Sequence, residues 1–421
     1  MKKNTVLPFA AGQTRSKKLF VDFATSAACA IVKTVFRNKI INKTQIDYSK
    51  NYLILCAHGS GLDFLHTKSA FKHMDIAIVA ARKLFFGKIT GLLMRIKKAI
   101  PKKQFIADLL ALRLIRNASE SGKSVFICPE GRSTPDGKNS FISPAVSKMI
   151  KWLNLPVLFV KPQGSYLSFP RWAKSVRFGK MTTEVSLLLS KNDINTLSSD
   201  EIYERVKEAF IFNEYDYQIK NKIKFHTLAP AKNIQRLLFV CPECKSSINM
   251  ESGPKHIFCA ACGLKAHVGT DASIKFKKGD SYFNNINEWI EFEKRFIADL
   301  VAHPDFSYEI KTDLDFENES TMSYKKIAEG ALNITRAGIT FRASKFVDDG
   351  LIDADKEKYS NIFYPASALS GLSYATHNIE LYAYENSQIY KFADDVVTYK
   401  LNLIIEAVFN AYGCKNTPQA Q

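Results

Sequence analysis

Tyr52-Leu53-Ile54-Leu55-Cys56-Ala57-His58-Gly59-Ser60-Gly61-Leu62-Asp63 is the stretch on which the fold turns. Its first six residues are apolar without interruption, the pattern of a strand buried on both faces. They run directly into a short polar turn, after which a helical pattern begins at Phe64. The flanking sequence repeats this alternation. Ile76–Ala80, Ser124–Cys128 and Pro156–Val160 read as strands, and Phe64–Lys72, Leu84–Lys97, Phe105–Ser121 and Ser143–Leu153 read as helices, with Gly122 just past the end of the third. Together these predict an α/β domain over 46–230, a mostly parallel sheet flanked by helices, with its chemistry at the carboxyl ends of the strands.

Two of those strand ends carry reactive side chains. On a regular helix His58 and Asp63 would point about 140° apart, so they meet only if the chain bends between them, and Gly59 and Gly61 are read as supplying that freedom. A carboxylate that accepts one imidazole N–H fixes the tautomer and makes the other nitrogen more basic, as a base attacking a hydroxyl requires. Strand Ser124–Cys128 ends in Pro129-Glu130-Gly131-Arg132-Ser133. There Arg132 has the fork geometry for a phosphate, and Glu130 can bond a glycerol hydroxyl or hold Arg132.

Taken together, the two turns resemble the glycerolipid acyltransferases typified by lysophosphatidic acid acyltransferase. His58 and Asp63 match that family's first motif, Pro129, Glu130, Gly131, Arg132 and Ser133 its third, and Leu155-Pro156-Val157 its fourth. The family's second block falls at Ile100-Pro101-Lys102-Lys103-Gln104, where lysines stand in place of arginine, and Ala57 replaces the Asn that often precedes the histidine. The resemblance implies catalysis without a covalent intermediate, with His58 as base and Asp63 orienting it. Glu130, Gly131, Arg132, Ser133, Lys102 and Lys103 would then line the acceptor. The substrates implied are a lysophospholipid, foremost 1-acyl-glycerol-3-phosphate acylated to phosphatidic acid, and acyl-CoA or acyl-carrier protein. Another lysolipid or lipid-linked acceptor is the alternative.

The 421 residues carry a net charge of +18, and its distribution says more than its total. Residues 1–230 hold 38 Lys and Arg against 16 Asp and Glu, whereas the remainder is slightly acidic. The first half therefore carries the surface suited to an anionic partner. Near the start, Leu19 to Phe36 is broken by Asp22 and Lys33 and barely reaches spanning length. At helical spacing Leu19, Phe20, Phe23, Ala27, Ala30, Ile31 and Val35 form one stripe, and Asp22, Thr25, Ser26, Cys29 and Lys33 the opposite one. With basic flanks, residues 1–45 read as an amphipathic anchor in the headgroup plane of an anionic membrane, or else as a helix packed on its own domain. The first 18 residues are polar and do not read as a secretory leader, so a peripheral or monotopic position on the cytoplasmic face is expected. The run from Leu84-Phe85-Phe86 to Leu92-Leu93-Met94, with Lys88, Arg95, Lys97 and Lys98 nearby, suits either a face toward acyl chains and headgroups or a core helix.

Residues 231–280 carry two C-x-x-C pairs, Cys241/Cys244 and Cys259/Cys262, with Gly263 after the second. Four thiolates at that spacing predict a structural Zn2+ site of zinc-ribbon type with no position open to water. A zinc-ribbon nucleic-acid-binding protein is the rival class. The segment is only modestly basic, and no nucleic acid is expected as partner. Residues 281–421 show a helix, then β-type alternation, then a closing helix from about Val396 to Ala411, an order that weakly resembles a pleckstrin-homology-like domain.

Overall fold

Leu53 to Cys56 are all fully buried, and their side chains alternate between two separate cores. Leu53 and Leu55 join Val125, Ile127, Val157 and Phe159 on one face, against Ala111, Ile115, Ile150 and Val206. Ile54 and Cys56 join Phe126, Leu158 and Val160 on the other, against Phe71 and Met74. The uninterrupted apolar run is thus a strand with helices on both sides.

The computed structural model describes residues 15–413 apart from 174, 278–280, 319–322, 348–352, 370–372, 376, 384–385 and 394–395. The chain divides into two units, residues 1–169 with 177–225, and residues 170–176 with 226–421. The first contains α1 (Arg15–Val35), β1 (Lys39–Asn42), β2 (Leu53–Cys56), α2 (Asp63–Lys68), β3 (Ile76–Ala81), α3 (Lys88–Ile96), β4 (Ile100–Lys102), α4 (Leu109–Glu120) and β5 (Ser124–Ile127). It continues with α5 (Ala145–Leu153), β6 (Val157–Gln163), α6 (Ser165–Ser168), β7 (Thr182–Leu189), α7 (Lys191–Thr196), α8 (Ser199–Ala209) and α9 (Glu214–Lys220). Its sheet has the order β1-β7-β6-β2-β5-β3-β4. From β6 to β4 every pairing is parallel, β7 runs antiparallel to β6, and β1 is parallel to β7. The expected mostly parallel sheet is the one observed.

Four differences from the sequence reading have physical causes. β1, β4 and β7 lack long apolar runs, because two are short or at an edge and β7 is half-buried. β6 continues past Val160 to Gln163, since pairing with β7 carries it through Lys161 and Pro162. Gly59 and Gly61 do not have positive φ, so the turn after β2 owes nothing to left-handed backbone there. On α1, Cys29 of the polar stripe is buried, while Ile31 and Val35 of the apolar stripe are 62% and 42% exposed, alongside exposed Ser26 and Lys33. A cysteine thiol packs as a small hydrophobe. Of the apolar stripe, the side chains of Leu19, Phe20 and Phe23 lie outside the described residues, as do residues 1–14 altogether. No helix among the described residues is long and apolar enough to cross a membrane.

The second unit holds a four-stranded antiparallel sheet over 250–276, β8 (Met250–Ser252), β9 (His256–Cys259), β10 (Lys265–Val268) and β11 (Ile274–Phe276), then α10 (Ile286–Ala302). A seven-stranded antiparallel sheet follows, with its strands between Ser307 and Lys391, and the described chain closes with a helix over Val397–Val408 and a short wider turn to Gly413. This is the β-rich carboxyl-terminal region expected.

Because Leu55 is fully enclosed between β5 and β6, Leu55→Ala should destabilise the chain by about 2–5 kcal/mol, read as a lower urea midpoint at an unchanged m-value. An unchanged midpoint would contradict its placement in the core.

Candidate active site

His58 and Asp63 do meet. β2 ends at Cys56, the chain turns through Ser60, and α2 starts at Asp63, placing Asp63 Oδ2 2.7 Å from His58 Nδ1. The carboxylate is almost wholly buried, while the imidazole side chain is 25% exposed. Asp63 accepts from Nδ1–H, so in the neutral ring Nε2 carries the lone pair, and Nε2 has no hydrogen-bond partner among the described residues. Burial by itself would lower the imidazole pKa. The negative charge Cys128 can carry, the hydrogen bond from Asp63, and the charges of Asp63 and Glu130 outweigh it and push His58 up to about 9.

Glu130 stands beside this pair in a role that residue type alone did not show. Its Oε1 accepts the His58 backbone N–H at 2.9 Å, and its Oε2 accepts the Ser140 N–H at 2.7 Å. The Thr134 N–H in turn donates to the His58 carbonyl at 2.8 Å. Both polar groups of the His58 backbone are thus held by the loop that follows β5. Burial raises Glu130 to about 7 despite the two N–H donors. Arg132 and Ser133 are buried in the same loop, and Gln104 donates from its side-chain amide to the Gly131 carbonyl. Lys102 Nζ donates to the carbonyls of Lys103 and Ile106, both at 3.0 Å, and the Lys103 N–H donates to Asp108. Lys102 therefore ties its own turn together.

In the second unit, the sulfurs of Cys241, Cys244, Cys259 and Cys262 all lie within 4.8 Å of one another. The Cys241–Cys262 and Cys244–Cys259 separations are 3.6 and 3.7 Å. A tetrahedron of thiolates about 2.3 Å from a metal has edges of about 3.8 Å, so the donor set fits a four-coordinate ion. Two matching knuckles hold it. Cys241 N–H donates to Ser246 O and Cys259 N–H to Leu264 O, each at 2.9 Å, with Lys245 and Gly263 in left-handed conformation at equivalent places. From α10, Trp289 donates to the Val240 carbonyl, and Glu293 accepts from Phe239 and Val240, fixing the entry to the first knuckle.

Sequence reasoning missed Ser60 and Ser165. Ser60 N–H donates to Asp63 Oδ2 at 3.1 Å, and Ser60 Oγ lies 2.8 Å from Ser165 Oγ, which donates to Asp63 Oδ1. Since Leu62 N–H donates to Ser60 Oγ, the hydroxyls can align as one directed chain ending on the carboxylate. Ser165 stands just beyond β6, after Gly164, whose φ of +88° is left-handed and whose N–H is held by buried Glu214 at 2.7 Å. A Cβ on Gly59 would lie 3.0 Å from Tyr166 N and 3.1 Å from Ser165 Cβ, so glycine at 59 is what lets the two turns touch. The visible signal was Gly164-Ser165 at a strand end, hidden because β6 was read as ending at Val160. We expect Ser165→Ala to lower kcat about 3- to 30-fold with KM nearly unchanged. It should also raise the pH midpoint, because an Asp63 with one donor fewer concentrates its charge and favours imidazolium. A kcat loss with an unmoved midpoint would reduce Ser165 to packing.

Residues 37–160 match a family model described as Acyltransferase. No curated protein matches the chain. Among solved structures, it is similar to the 1-acyl-sn-glycerophosphate (LPA) acyltransferase PlsC from Thermotoga maritima, at 21% identity and a TM-score of 0.37, over 47% of this chain and 80% of that one. The family match lies wholly within the first unit.

Proposed function

We propose that the chain transfers a fatty acyl group from acyl-CoA or acyl-carrier protein to the 2-hydroxyl of 1-acyl-glycerol-3-phosphate, giving phosphatidic acid, as a peripheral protein on the cytoplasmic face of an anionic membrane. The observation that carries this reading is the 2.7 Å His58–Asp63 contact, which leaves Nε2 unengaged on a part-exposed ring inside an acyltransferase domain. Nε2 takes the hydroxyl proton as the oxygen attacks the thioester carbonyl. The tetrahedral intermediate then collapses, breaking the C–S bond, and the imidazolium returns the proton to the departing thiolate. Atoms balance with no covalent enzyme intermediate. Arg132, supported by the charge of Lys102 and Lys103, is assigned to the acceptor phosphate, and Gly131 and Ser133 to the wall of its site. Glu130 positions His58 through its backbone N–H. The four cysteines would hold Zn2+ as a structural ion with no part in acyl transfer.

The pH dependence follows from the sign of the shift. A base must be neutral, and with His58 raised to about 9 the imidazolium form dominates below that value. The expected kcat/KM therefore rises about tenfold per pH unit on the acid side and levels near pH 9. His58→Ala should lower the rate about 10²- to 10⁴-fold with folding intact by circular dichroism. A folded His58→Ala protein with full activity on lysophosphatidic acid would sink the proposal.

For the metal, about one zinc per chain is expected on elemental analysis. Replacing Cys244 or Cys259 with Ser should lower zinc content and thermal stability while the rate per folded molecule stays constant. Immediate loss of catalysis on chelation, with no change in structure, would instead place the ion in the reaction.

A further inference from the structure

α3 has its apolar face turned outward. Ile89, Leu92, Leu93 and Ile96 stand at i, i+3, i+4 and i+7, one stripe of the helix, and the first three are 75%, 53% and 41% exposed. The inward side carries Gly91, which is buried, and Arg95, whose guanidinium donates to the Phe85 carbonyl at 3.1 Å. A helix packed only for its own domain would place these residues the other way round. The segment before α3 adds Leu84 at 40% exposure, and α1, which packs against α3, adds Ile31 and Val35. Scattered exposed hydrophobes are ordinary, but a stripe at helical spacing beside a second exposed apolar row is not.

The charge around it identifies the occupant. From Arg82 to Lys103 the chain carries eight Lys and Arg and not one Asp or Glu. Apolar side chains in a segment whose charges are all cationic, with Lys88 and Lys98 at either end of α3 exposed, match an anionic bilayer, where the stripe enters the acyl boundary and those cations meet headgroups. A second copy of this chain would bring the same cations against themselves.

We propose that the outward face of α3, with Ile31 and Val35 of α1, is the surface by which this chain docks on a bilayer containing anionic lipids. The choice of a bilayer rests on the lipid acyltransferase reading above. It also has a consequence for that site: α3 runs into β4, and Gln104 and Phe105 just beyond β4 touch Gly131 in the loop that holds His58. The docked helix and the catalytic loop are thus joined by a few residues, so the acceptor reaches His58 from the side of the membrane.

The test uses the full chain and extruded vesicles of phosphatidylcholine with or without 30% phosphatidylglycerol, measured by co-sedimentation. Wild type should bind the anionic vesicles at least tenfold better than the neutral ones, and raised salt should weaken this only in part, because only the ionic component is screened. The Ile89→Glu/Leu92→Glu variant should lose at least tenfold in binding, while Ile211→Glu, at a position 64% exposed elsewhere on the same unit, should lose less than twofold. The α3 variant should turn over a monomeric short-chain acceptor within twofold of wild type but a vesicle-embedded acceptor at least tenfold more slowly. Unaltered vesicle binding by a folded α3 variant overturns the proposal, whatever the activity. So does analytical ultracentrifugation showing that the variant splits a wild-type dimer with no effect on vesicles. If binding falls as described but no lysolipid is acylated by wild type, the docking surface stands and the assignment of the reaction fails.

Discussion

The backbone of His58 is bound from both sides by a single loop, its N–H by the Glu130 carboxylate and its carbonyl by the Thr134 N–H. Everything else in the site is arranged about that fixed residue. β2 and β5 are adjacent parallel strands in which Leu55 lies opposite Ile127, so the two loops leave the sheet at the same level. A slip of one residue would turn every side chain of β2 to the opposite core and remove both bonds at once. Each polar group left buried and unpaired costs about 1–3 kcal/mol, so sheet register and loop conformation enforce one another.

The two carboxylates beside His58 do different work because their surroundings differ. Asp63 meets the ring nitrogen, a backbone N–H and a hydroxyl, and its charge bears on the proton affinity of the imidazole. Glu130 meets only backbone N–H groups, and burial raises it to about 7. One carboxylate acts on the proton affinity of the imidazole and the other fixes the backbone that carries it. Glu214 repeats the second task, holding the Gly164 N–H so that Ser165 is delivered to Asp63.

Much of this was legible in the sequence, and the omissions are instructive. An apolar run ending in a polar turn announces a buried strand and a site, since few other conformations bury six apolar residues in succession. His58, Asp63, Glu130 and the cysteine pairs were visible as residue types at telling intervals. What Glu130 binds was not visible, because its partners are backbone groups that every residue possesses. Ser165 was hidden for a related reason: the length of β6 is decided by its pairing with β7 rather than by its own hydropathy, which falls at Lys161 and Pro162. For α3 the period was plain but its direction was not. Hydropathy gives the stripe of a helix, and only the neighbours decide whether that stripe faces the core or the exterior.

The edge of the sheet has a consequence for the order in which the molecule is made. Among the described residues β1 pairs with no strand but β7, Lys39 lying beside Thr182, so the edge cannot form until about 140 residues beyond β1 have been translated. At roughly 5–20 residues per second, that leaves on the order of ten seconds in which the amino-terminal segment has been synthesised but its partner strand has not. Over that interval α1 can pack on α2 and α3, but the sheet edge beyond it is not closed. Contacts with those two helices, both translated before β7, are therefore the first that can hold it.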